Sequence, residues 1–148
     1  MSVLFLGSDH AGLGLKQILG QYLAARFTIH DVGTHSEDSC DYPLIADALC
    51  TQVRQTAGLG ILICGSGLGM SMAANRHAGI RAALCANEYM ARMSRLHNNA
   101  NVLCLGERIL GVDLAKAIVD AFVETSFEGG RHERRVGLID TQPSLATR

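Results

Sequence analysis

Cys64 ends a short apolar run and opens the segment Gly65-Ser66-Gly67-Leu68-Gly69, three glycines in five residues. Residues 60–64 read as a buried strand. Apolar spacing resumes at Met70, Ala73 and Ala74, as on a helix, so the unit is strand, glycine loop, helix. Such a loop lets backbone N–H groups converge at a helix N-terminus, where negative charge is favoured and a thiol can ionise more readily. With the hydroxyl of Ser66 inside the loop, the set suits chemistry that passes through an oxyanion. Taken alone, the same residues also read as a small buried hydrophobe beside a tight strand–helix turn. The remainder of the chain has to decide between the two.

Three further groups carry chemistry. Asp9-His10 pairs an acid with an imidazole on a loop, where the carboxylate can orient the ring, bind a hydroxyl or cap the next helix. His97-Asn98-Asn99 closes a helix, either as a polar stop facing the negative helix end or as part of a site. Arg131 and Arg135 are four apart and can share a helical face as a clamp for a phosphate dianion, or as a solvated face. Arg108 can join that clamp or pair with Glu107.

The elements that must position these groups alternate. Residues 3–6 read as a strand closed by Gly7, and Leu15, Ile18, Leu19, Tyr22 and Leu23 recur at helical spacing. Residues 27–32 form a second strand ended by Gly33, and residues 34–41 a polar loop. Pro43 suits the first turn of a helix carrying Leu44, Ile45, Ala48, Leu49 and Val53, with Asp41 or Tyr42 at its cap. After the glycine loop come a strand at 80–85, a helix at 87–97 with Tyr89, Met90, Met93 and Leu96 inward, and a strand at 101–105. A helix marked by Leu114, Ile118, Ala121 and Phe122 follows, then a short helical pattern from Arg131 through Ile139. The polar last residues are expected to fray. Strand–helix alternation with short connections gives βαβ units and a parallel sheet covered on both faces. Ligands in such folds bind beyond the carboxyl ends of the strands, where Asp9, His10, Cys64, the glycine loop and Arg108 all fall.

A length of 148 residues suits a single domain (1–148), and 48% hydrophobic with 18% charged residues suits a compact chain. A net charge of −1 without charged runs argues against nucleic acid or an anionic membrane as partner. No apolar run reaches the roughly 20 residues of a membrane span, and the first residues do not read as a secretory signal. Five cysteines, an odd number without C-x-x-C spacing, suit reduced thiols in a cytoplasmic protein rather than zinc or disulfides. The third loop glycine comes one residue early for a dinucleotide fingerprint, so Glu88 gives only weak support to a nucleotide site. Asn75-Arg76 does not complete a P-loop, and Cys64 stands where the first glycine of a nucleophile elbow belongs.

Together these residues resemble the ribose-5-phosphate isomerase B family, which includes allose- and galactose-6-phosphate isomerases. The resemblance is carried by Ser8-Asp9-His10-Ala11-Gly12, Asp41-Tyr42-Pro43, residues 60–75, Gly79-Ile80-Arg81-Ala82, Ser94-Arg95-Leu96-His97-Asn98, Asn101-Val102-Leu103 and Glu128-Gly129-Gly130-Arg131-His132. It implies a three-layer αβα sandwich, Rossmann-like, with a five-stranded parallel sheet. It also implies a homodimer or dimer of dimers whose sites combine two subunits, the segment at about 128–148 reaching the neighbour. The implied activity is aldose–ketose isomerisation of a small phosphorylated sugar through a cis-enediolate, with no metal and no organic cofactor.

In that resemblance Cys64 is the base, and Gly65, Gly67 and Gly69 belong to the loop that holds the enediolate oxygen. Ser66, where threonine is commoner, shuttles a proton between oxygens. His97 opens the sugar ring, and Asp9 accepts from a sugar hydroxyl. His10, Arg108, Arg131 and Arg135 hold the phosphate, while Tyr42 and Asn98 line the sugar site. One branch of the family takes its base from a glutamate where Met70 stands here. Asn99 replaces a common aspartate and Cys40 a common threonine. The leading substrate is ribose 5-phosphate. The alternatives are allose 6-phosphate, galactose 6-phosphate, a tetrose 4-phosphate, or a non-catalytic phosphate-binding subunit.

Overall fold

The computed structural model describes residues 1–141. The expected frayed end and the last part of the 128–148 arm lie outside the described residues. Each apolar run becomes a strand: β1 (Val3–Ser8), β2 (Thr28–Asp31), β3 (Leu59–Cys64), β4 (Ala82–Leu84) and β5 (Val102–Gly106). All pair in parallel, in the order β2-β1-β3-β5-β4. The helices are α1 (Leu13–Leu23), α2 (Tyr42–Thr56), α3 (Leu68–Ala74), α4 (Glu88–Asn98), α5 (Val112–Glu124) and α6 (Arg131–Asp140), with a 3-10 turn at His10–Gly12 before α1. This is the parallel sheet covered on both faces that the alternation predicts, and the three-layer αβα sandwich that the resemblance implies.

The alternation of side chains along β3 divides the core. Ile61 and Ile63 pack with Leu15, Leu19 and Leu23 of α1 and Ile118 and Phe122 of α5. Leu62 and Cys64 face the other way, against Leu49 and Val53 of α2 and Met70 of α3. A strand buried on both faces needs an unbroken apolar run, which is what β3 and β5 carry. Local signals set the ends of the helices. Pro43 sits in the first turn of α2, and the side chain of Asn87 accepts from Met90 N–H to cap α4. Asn99 closes α4 with φ of 46°, a conformation asparagine tolerates better than most residues.

Edge strands are shorter than expected: β2 has four residues and β4 three. Tyr89 and Met90, expected inward, are exposed, as are Ile18, Tyr22, Leu44 and Leu114 from the helical patterns. On α4 the buried positions are Ala91 and Ser94, small residues that let it lie close to α5. On α1 a core position goes to Lys16, only 1% exposed, while Tyr22 turns outward and donates to Asp120 Oδ2 at 2.6 Å. Among the described residues, no helix is long and apolar enough to cross a membrane.

Candidate active site

The segments leaving β1, β3 and β5 meet at the carboxyl edge of the sheet. Register pairs Ser8 with Ile63 and Cys64 with Gly106. Backbone bonds continue past the strands, from Asp9 N to Ile63 O (3.2 Å), Glu107 N to Cys64 O (2.9 Å) and Arg108 N to Gly65 O (3.0 Å). Helices α1 and α2 cover opposite faces of neighbouring strands β1 and β3, so the edge between them is a topological switch point. A cavity of about 460 Å³ opens there, lined by Asp9, His10, Tyr42, Cys64, Ser66 and Arg108 among others.

Cys64 is 4% exposed at the cavity floor, and Gly67 N–H donates to its Sγ at 3.1 Å. That bond requires the chain to turn back at Gly67, whose φ of +81° is costly for any residue with a Cβ. Gly69 and Met70 lie in the first turn of α3, so their N–H groups have no intrahelical acceptor. Ser66 Oγ accepts from Leu68 N–H at 3.2 Å. The phenol ring of Tyr42 crosses Gly69 so closely that a Cβ there would lie 2.7 Å from it. Met70, where a rival base would stand, is fully buried in the α2–α3 core.

Asp9 caps the turn that follows β1 and also faces the cavity. Its Oδ1 accepts from Ala11 N–H (3.0 Å) and Gly12 N–H (3.1 Å), capping the 3-10 turn. Its other oxygen has no protein donor among the described residues, and the side chain lines the cavity. His10 Nδ1 accepts from Cys40 N–H at 3.3 Å, which leaves Nε2 to carry a proton and donate. Arg108 does not pair with Glu107. The carboxylate instead accepts from Leu15 N–H at 2.5 Å, and the guanidinium lies along Gly65.

Two supports had no local sequence signal. Glu107 and Leu15 are 92 residues apart, so only the sheet order brings them together. Lys16 Nζ reaches Asp31 Oδ1 at 2.7 Å and also donates to Thr34 O, fixing the start of the loop that carries Cys40 to His10. A lysine at helical spacing reads as surface until the partners at the edge are known.

His97, Asn98, Arg131 and Arg135 do not line this cavity. β5 does pair with β3, but α4 runs back between parallel strands and ends at the amino end of β5. Gly60 N, near the start of β3, donates to Asn101 O there. Cys64 is four residues further along β3, so the two edges are roughly 13 Å apart at ~3.3 Å per residue. At this second edge α6 docks on α4: Glu128 N–H donates to Leu96 O at 3.1 Å, and His132 and Val136 are buried. Arg81 grips both oxygens of Asp140 at 2.9 Å. The His97 and His132 rings stack at 4.2 Å and 12°. Arg131 and Arg135 are exposed, four apart on α6, with no ion-pair partner among the described residues.

Fold and cavity define the class, an open doubly wound α/β protein with a small-molecule crevice at its switch point. Known proteins narrow it. Residues 4–139 match the Ribose/Galactose Isomerase family. The chain is 46% identical over 142 residues to ribose-5-phosphate isomerase B of Escherichia coli, covering 94% of this chain and 95% of that one. A crystal structure of a ribose 5-phosphate isomerase from Thermotoga maritima superposes with a TM-score of 0.93 at 48% identity, covering 95% and 99% of the two chains. Ribose-5-phosphate isomerase B of Mycoplasma genitalium, whose crystal structure holds ribulose-5-phosphate, superposes with a TM-score of 0.90 at 43% identity, covering 93% of each. The chain belongs to the Ribose/Galactose Isomerase family.

Proposed function

We propose that the chain interconverts ribose 5-phosphate and ribulose 5-phosphate through a cis-enediolate, with Cys64 as the base. The observation that carries this reading is the sulfur of Cys64 on the floor of the cavity, held by Gly67 N–H with Asp9 and Arg108 around it. Cys64 removes the C2 proton of the open-chain aldose and returns it at C1. The N–H groups of the glycine loop stabilise the enediolate oxygen, and Ser66 moves the hydroxyl proton between O1 and O2. Asp9 accepts from a sugar hydroxyl, Tyr42 closes one side, and His10 Nε2 and Arg108 hold the phosphate. Phosphate binding is remote from the proton transfer and positions the reacting carbons.

His97, Asn98, Arg131 and Arg135 complete the site of a second copy. Their distance from Cys64 along β3, the exposure of Asn98, Arg131 and Arg135, and the absence of ion-pair partners for the two arginines among the described residues support this. Large apolar side chains exposed on α2, α3 and α4, among them Leu44, Met72 and Tyr89, are the kind of surface another copy covers. The assembly is a homodimer or a pair of dimers.

Proton NMR in heavy water with four-, five- and six-carbon aldose phosphates tests the reading. Loss of the C2 proton signal and growth of ketose with ribose 5-phosphate is the expected result. Exchange with a different sugar phosphate alone would overturn the substrate. No exchange with any of them would favour a non-catalytic phosphate-binding subunit.

A further inference from the structure

His97 is held by two neighbours that the chemistry above does not use. Its ring stacks on His132, with centroids 4.2 Å apart and planes within 12°. Its Nε2 lies 3.8 Å from Glu128 Oε2. His132 is only 7% exposed, and its own Nε2 is buried without a hydrogen-bond partner among the described residues. A buried imidazole nitrogen left unpaired is costly. What the ring offers His97 is its flat face.

Ligand atoms of His97, Glu128 and His132 all lie within 4.8 Å of one another. The two rings are nearly parallel, however, so their nitrogen lone pairs lie in separate layers and aim at no common point. One ion cannot sit on both without a ring turning. The geometry fits a clamp on one imidazole better than a metal site.

We propose that Glu128 and His132 are positioning residues for the ring-opening histidine: His132 fixes the plane of the His97 ring, and Glu128 stabilises its protonated form. This rests on the assignment of His97 under the proposed function. In ring opening the C1–O4 bond of the furanose breaks and O4 takes a proton from His97. The anomeric hydroxyl gives its proton to solvent, and C1=O forms. The acid must therefore be an imidazolium, and the Glu128 carboxylate lies 3.8 Å from its Nε2. Burial lowers the pKa of His132, and the charges of His97 and Arg131 lower it further. His132 is thus held toward its neutral form, against the raising charge of Glu128.

The test separates ring opening from proton transfer. Ribose 5-phosphate is mostly furanose and must be opened. Ribulose 5-phosphate cannot close a furanose, because its O5 carries the phosphate. Turnover of ribose 5-phosphate is therefore compared, at saturation, with deuterium entry from heavy water at C1 of ribulose 5-phosphate. Glu128→Gln and His132→Ala should each lower the ratio of turnover to exchange about tenfold, a fraction of what a general acid contributes. His132→Phe keeps a flat ring and has no nitrogen to leave unpaired, so its ratio should stay within about twofold of the original. Equal loss of both rates in Glu128→Gln and His132→Ala would mark a structural role and overturn the proposal. So would unchanged ratios in those two variants when His97→Ala lowers its own. An unchanged ratio in His97→Ala would overturn the assignment of His97 and the proposal with it.

Discussion

Cys64 differs from the other buried cysteines in what meets its sulfur. Gly67 N–H donates to Cys64, whereas burial in apolar packing pushes the Cys50 thiol up to about 12, Cys85 to about 11 and Cys104 well above its ordinary value. Those three are core residues, and the difference is invisible in a sequence where all five are simply Cys. The buried thiols also set a pH limit on stability. Below about pH 9 the folded and unfolded chains both keep them protonated, and they contribute no pH dependence. Above it the unfolded chain releases these protons while the folded chain holds them until pH 11 to 12. Each thiol then removes about 1.4 kcal/mol of stability per pH unit. Denaturant midpoints should fall steadily between pH 9 and 10.5, and midpoints that stay level would contradict this account of the core.

The glycine loop, as an element, combines two requirements that substitution can separate. A methyl group on Gly65 would first meet the Arg108 side chain, with Nη1 at 3.0 Å, the movable end of that chain. Gly65→Ala should leave stability nearly intact and raise KM about tenfold, the worth of one hydrogen bond to a charged group. Gly67 has φ of +81° and would bring its Cβ 2.9 Å from the carbonyl carbon of Leu105. Gly67→Ala should cost about 1–3 kcal/mol of folding stability as well as activity. A thermal melt and a KM measurement on both variants check the contrast, and equal destabilisation by the two would refute it. The strand–loop–helix unit was legible because apolar runs, glycine spacing and Pro43 are local signals. Which face of each helix turns inward was less so. Tyr89 and Met90 fit the helical period of α4, yet Ala91 and Ser94 are buried in their place. Period alone does not distinguish a face that meets its own core from one left for another surface. Lys16 was missed for the same reason, since its partners Asp31 and Thr34 come from a different element.

Across the whole molecule, the candidate residues divide between opposite edges of one sheet. Asp9, His10, Tyr42, Cys64, Ser66 and Arg108 surround the cavity at the carboxyl edge; strand–helix spacing was enough to gather all but Tyr42, which the resemblance supplied. His97, Asn98, Arg131 and Arg135 collect at the amino edge, where α4 ends and α6 docks. A site shared between two chains, as proposed, is not legible in a linear sequence, because each half is built by its own strand–helix connection. If Cys64 of one copy works with His97 of another, each variant alone is defective in both of its sites. A dimer with one Cys64→Ala chain and one His97→Ala chain then holds one site with both defects and one with neither. The decisive measurement is turnover of ribose 5-phosphate by the two variants, unfolded together and refolded as an equal mixture. The account predicts that each alone is nearly inactive and that the mixture recovers about a quarter of the original activity, because half of the randomly formed dimers carry one intact site. A mixture no more active than its components would contradict a site shared between Cys64 and His97 of different chains.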